Sequence, residues 1–237
     1  MKKNLLSTLA DGICVVLLSV CPILCYASAF SVKLEASVLI MAAVLFSIVF
    51  SLLSAFVKNN LKYALCMTVI AFVAFLVFVF ANERIFAQAN YAINKLLELY
   101  SVYLSVYSNI KFASYIANDA TGFFVLLSLI LNGLFSFLIS RIKSIKIAGL
   151  LSIALLVPCF VLVNTLPDLV PLLIIFTVLF ALYFSSQTRQ LNYAHSGVIT
   201  AVCAVILAVL ITVLAVINPV ADYERPKWQD NMLNTVQ

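Results

Sequence analysis

The sequence predicts an all-α integral membrane protein, a bundle of about seven transmembrane helices with one long amphipathic extracytoplasmic helix. Three observations point there. Hydrophobic residues make up 65% of the 237 positions and charged ones 10%, against about 45–50% and about 25% in soluble domains. The apolar residues fall in long runs without charge, and the runs do not alternate in the manner of barrel strands. Such a chain lacks the polar residues to cover a water-facing surface, so lipid is its expected solvent. The net charge of +5 follows from where the cations sit, and nucleic acid is not an expected partner.

Seven runs approach the roughly 20 residues needed to cross about 30 Å of hydrocarbon. They are 12–30, 36–57, 63–81, 121–140, 147–166, 169–185 and 197–218. Helices are required because hydrocarbon offers no partner to an open backbone hydrogen bond. The run 169–185 is the shortest and follows a tight "TLPDLVP" turn, so a full crossing and a re-entrant hairpin both stand as readings. The start, "MKKNLLSTLADGICVVLLSVCPILCYASAF", also has the form of a secretory signal, with Ala27-Ser28-Ala29 as a cleavage-like site. Asp11 interrupts its apolar stretch and Pro22 sits late in it, which favours a retained first helix.

Orientation follows from the cations. With the N-terminus inside, the cytoplasmic segments hold Lys2, Lys3, Lys58, Lys62, Arg141, Lys143, Lys146 and Arg189, and no cytoplasmic loop holds an acid. The outer segments hold Lys33, Arg84, Lys95, Lys111, Arg225 and Lys227 over longer stretches. The short "KNNLK" and "RIKSIK" loops carry this argument. The expected location is the plasma membrane, with the C-terminal tail outside.

The long segment between the third and fourth runs has its own pattern. Phe86, Ala89, Ile93, Leu96, Tyr100, Tyr103, Tyr107 and Ile110 recur at alternating steps of 3 and 4, the apolar face of a helix near 84–115. Tyrosine suits a headgroup zone, with an apolar ring and a wet hydroxyl. The helix reads as lying on the outer leaflet, or as a docking face or lid with Tyr100, Tyr103 and Tyr107 at its mouth. Asn118 or Asp119 is expected to cap the helix that follows.

Residues for catalysis are sparse. Cys14, Cys21, Cys25, Cys66, Cys159 and Cys203 all fall within apolar runs, where structural disulfides do not belong and small apolar packing is their expected role. The only histidine, His195, stands in a cytoplasmic loop. No Cys/His or Ser/His/Asp set can be drawn within one compartment. No cofactor, metal or catalytic residue is therefore expected. Asn132 and Asn164 are polar residues within or near the end of a run, and Asn132 is expected to bond across helices.

The domain division is a membrane region, 1–219, and a tail, 220–237. Pro219 ends the last run, after which Tyr223 and Trp228 suit interface depth and Arg225 and Lys227 can meet lipid phosphates. Pro219, Tyr223, Arg225, Pro226 and Trp228 form a "P…Y.RP.W" pattern after a multi-span region. In this the chain resembles the membrane region of bacterial membrane-anchored transglutaminase-like proteins. The resemblance implies a following extracytoplasmic papain-like domain, with this region as its non-catalytic anchor and the tail as the start of a linker. It maps no catalytic residue onto this chain. The competing expectation is a small-solute carrier or a membrane subunit of one. An intramembrane enzyme ranks last for want of a catalytic set.

Overall fold

The structure, a computed structural model, describes residues 5–57, 59–80, 82–104, 117–142, 144–161 and 167–190. Among the described residues there are seven α-helices and no strand. They are α1 (Leu5–Ala29), α2 (Ala36–Phe56), α3 (Asn60–Phe80), α4 (Asn82–Leu104), α5 (Thr121–Phe137), α6 (Ile145–Val161) and α7 (Leu169–Gln190). A five-residue π turn, Leu138–Ile142, extends α5. Helix thus continues past Arg141, where the sequence reading begins the "RIKSIK" loop.

Three stretches are long and apolar enough to cross a membrane: Asp11–Ala29, Ala36–Ser54 and Thr121–Ser140. They coincide with the expected spans 12–30, 36–57 and 121–140. The expected spans 63–81, 147–166 and 169–185 fall on apolar helices whose qualifying parts are shorter, Asn60–Ala74, Ile145–Phe160 and Leu169–Phe184. The last of these lies in α7, one continuous helix of 22 residues. Span 197–218 lies outside the described residues.

α1 is the centre. It packs on α2, α5, α6 and α7, and Leu18, Cys25 and Phe30 are wholly buried. Pro22 removes one ladder donor, yet α1 runs through it. α2 lies along α5, α6 along α7, and α4 bridges α3 and α5. The outer faces of α2 and α3 expose large apolar residues, Met41, Leu45, Leu52, Leu65, Val69 and Phe72 among them. That surface suits hydrocarbon and would be costly in water.

α1 ends in a tight reversal. Val32 donates its backbone N–H to Ala27 O at 2.9 Å, and Ser31 donates to Ser28 O at 3.4 Å. These two bonds make a Schellman cap. Its left-handed position is filled by Ser31, at φ 52°, where glycine would be the usual residue. Val32, just beyond, is buried. The reversal delivers an extended segment whose Lys33 O accepts from the Ala120 N–H at 3.0 Å.

Candidate functional site

Polar groups gather at two levels of this apolar bundle. The first is the end that carries the α1–α2 turn, here the Lys33 end. The backbone N–H of Glu35 donates to Thr121 Oγ1 at 3.0 Å. Gln88, reaching over from α4, accepts the Phe123 N–H on Oε1 at 3.1 Å and donates from Nε2 to Asp119 Oδ1 at 3.3 Å. The Asp168 N–H, just before α7, donates to Ser28 Oγ at 2.9 Å, and Ser28 donates to Cys25 O. One small array of bonds therefore ties α1, α2, α4, α5 and α7 together. Rings reinforce it: Tyr26 lies 4.5 Å from Phe30 and 5.7 Å, edge-on, from Phe124.

This arrangement corrects the expected cap. Neither Asn118 nor Asp119 caps α5, whose N-cap position is Ala120 without a side-chain bond. Asp119 turns to Gln88 instead, and the orphan N–H of the first turn is met by Gln88 from another helix. Gly122 makes this possible, because a Cβ there would stand 2.5 Å from Gln88 Oε1.

The face of α4 is corrected too. Of the expected seam, Ala89 is buried and Leu96 packs against the core, but Phe86 and Ile93 are exposed, while Ala87, Asn90 and Ala92, outside the seam, are buried. The physical reason is register. Docking of Gln88 beside Gly122 holds α4 against α5 in a register that turns Ala87, Ala89 and Ala92 inward and leaves Phe86 and Ile93 outside.

The second level lies deeper. Asn132 is fully buried and donates from Nδ2 to Ser19 Oγ on α1 at 2.8 Å and to Ser128 O at 3.0 Å. The expected bond across helices is present. Ser19 and Ser128 donate in turn to Val16 O and Val125 O. One turn on, Ser136 shares a 3.1 Å bond with the hydroxyl of Tyr63, from α3. Tyr63 is wholly buried and stacks on Phe137 at 5.9 Å. Gly133 leaves room between them for Met67 and Phe50.

Of the residues singled out from sequence, Tyr100 and Tyr103 fall near the end of α4, and their side chains lie outside what the structure describes. Tyr107, Tyr223, Arg225 and Trp228 lie outside the described residues altogether, as do His195 and Cys203. Cys14, Cys21, Cys25, Cys66 and Cys159 are free thiols. No three metal-binding side chains come together among the described residues. On the outer face of α4, Lys95 Nζ meets Glu98 Oε2 at 2.8 Å. That hydrogen bond and the carboxylate charge raise the Lys95 pKa above its ordinary value.

Sequence reasoning missed Gln88, Thr121, Ser28, Ser19 and Tyr63. A signal for the deeper level was present: Ser128, Asn132 and Ser136 recur every four residues, one face of a helix.

No family model matches the chain, and comparison with curated proteins and with solved structures returns no match.

Proposed function

We propose that the chain is a non-catalytic membrane module that anchors and orients a protein domain on the outer side of the cell membrane. One observation carries this reading: the polar array at the Lys33 end, which joins α1, α2, α4, α5 and α7 by bonds of 2.9–3.3 Å. Apolar contact between helices gains little in lipid, whose tails are as apolar as leucine. Helix ends fixed by directional bonds make a firm base for something held above them. The cation distribution puts the Lys33 end outside, on the side where the 220–237 tail is expected to emerge. A transglutaminase-like domain is the cargo that the tail pattern favours.

The test is an accessibility scan. Tyr223→Cys is expected to react with a membrane-impermeant maleimide in intact cells. Reaction only after permeabilisation overturns the reading.

A second reading, a small-solute carrier, is favoured by the buried amide of Asn132 and the hydroxyls around it. Uptake that survives replacement of Tyr100, Tyr103 and Tyr107 by alanine counts against a tyrosine-lined mouth.

A further inference from the structure

Asn132 holds an acceptor with nothing to accept. Its Oδ1 is buried and, among the described residues, has no hydrogen-bond partner. The orientation of the amide is fixed by its neighbours. Ser19 spends its only proton on Val16 O, at 2.9 Å, so its oxygen can only accept from Asn132. Ser128 O is a carbonyl and also only accepts. Turning the amide over would set Oδ1 against two oxygens and lose both bonds. The free oxygen therefore points away from both, held in place by two bonds of 2.8 and 3.0 Å.

An unmet buried carbonyl carries the desolvation cost of its lost partner, and hydrocarbon offers it no relief. A group kept at that cost, and pinned by its neighbours, is organised to receive a donor. The contacts named around it are neutral: two serines, a backbone carbonyl and, one turn along, the Tyr63–Ser136 hydroxyl pair. A cation would need more oxygens than one amide presents, and an anion would be repelled by the carbonyl.

We propose that Asn132 Oδ1 is the acceptor of an intramembrane site for a compact, neutral hydrogen-bond donor, of which water is the smallest member. The inference goes beyond the anchoring reading, since an anchor and a carrier alike can hold such a site. It does assign to α5 a polar station midway along the bundle, with the amide oxygen as the recognising atom and Ser19 as the residue that positions it. A bound donor completes the hydrogen bonding of α5 against α1.

Water is the probe. X-ray radiolysis of the full chain in lipid nanodiscs generates hydroxyl radicals from bound waters where they sit, and mass spectrometry reads the modified side chains. Leu131, adjacent to Asn132, and Phe135, one turn on, are buried and out of reach of bulk water. They are expected to be modified several-fold faster than Ile175 on α7, which is equally buried. In Asn132→Leu that excess is expected to vanish, while Tyr223→Cys in the same background still labels from outside. The comparison with Ile175 needs only the wild type, so it stands even if Asn132→Leu does not fold. Wild-type Leu131 and Phe135 modified no faster than Ile175, or an excess that persists in Asn132→Leu, overturns the site. Neither result bears on the side of Tyr223, so this failure is distinguishable from failure of the anchoring proposal.

Discussion

Gly122→Ala is the sharpest perturbation of the way α4 is held. In an ordinary helix the change stabilises, by up to about 1 kcal/mol, since alanine loses less backbone entropy on folding. Here the new Cβ would stand 2.5 Å from Gln88 Oε1, so the amide must move. Its bonds to the Phe123 N–H and to Asp119 go with it. The first leaves an orphan donor in the first turn of α5, a loss of about 1 kcal/mol by analogy with an N-cap. The second is long, at 3.3 Å, and contributes about 0.5–1 kcal/mol. Gln88→Ala should therefore destabilise by about 1.5–2 kcal/mol. Gly122→Ala should destabilise by about 0.5–1 kcal/mol, the lost bonds outweighing the gain in propensity. The decisive quantity is the sign of Gly122→Ala in a Gln88→Ala background, where nothing remains to displace and the change should stabilise. Reversible unfolding in mixed micelles, followed by circular dichroism, gives the four free energies of the cycle. If Gly122→Ala destabilises equally with and without Gln88, the glycine is not there to admit Gln88, and the account of α4 docking fails.

Three further outcomes are expected. Ser31→Gly should raise stability by about 0.5–1 kcal/mol, because Ser31 holds a left-handed φ of 52° that glycine adopts without strain; a loss in the same unfolding assay would refute the cap. Tyr63→Phe should cost about 0.5–1.5 kcal/mol, since Ser136 loses its partner across helices while the ring keeps its stack on Phe137. An equal loss in a Ser136→Ala background would show that the hydroxyl pair contributes nothing. The exposed Lys95–Glu98 pair should contribute only a few tenths of a kcal/mol. As the folded pKa of Lys95 is the raised one, that small contribution is complete below its ordinary value of 10.5. It disappears as pH climbs through the folded value, which a comparison of Lys95→Ala with wild type at neutral and strongly alkaline pH would detect.

What the sequence disclosed depended on how many residues carry each signal. Every expected span whose residues are described falls on a helix, because twenty apolar positions state the same preference and single exceptions do not matter. Directional features rest on one atom, and there the pattern misleads. The 3.5-residue spacing of α4 marks a helix, but which face is buried was decided by Gln88 finding Gly122, two residues 34 apart in the chain. Asp119 looked like a cap because its position favours one, but its carboxylate accepts instead from Gln88 Nε2, a donor from outside the segment. The reversal after α1 has no glycine to announce it, since Ser31 takes the left-handed role. At the deeper level, the four-residue recurrence of Ser128, Asn132 and Ser136 was visible, but their partners, Ser19 and Tyr63, come from helices that only the fold brings alongside.

α5 explains why so few polar residues suffice. Thr121, Ser128, Asn132 and Ser136 follow steps of 7, 4 and 4, so they run as one line down a helix. Each bond across the bundle reaches a different element: Thr121 the segment before α2, Asn132 the middle of α1, and Ser136 the start of α3. A helix sliding past α5 by one turn would break its bond and gain no apolar contact in return, since lipid satisfies apolar side chains equally well. Apolar residues therefore make the elements interchangeable in lipid, and three polar contacts on one helix remove that freedom by fixing the height of each neighbour. Because α1 also packs on α6 and α7, setting α1 by Asn132 and Ser19 sets the other half of the bundle with it. The one buried acceptor left open on this line is then an exception to its own logic, which is why an occupant for Asn132 Oδ1 is the simplest way to complete it.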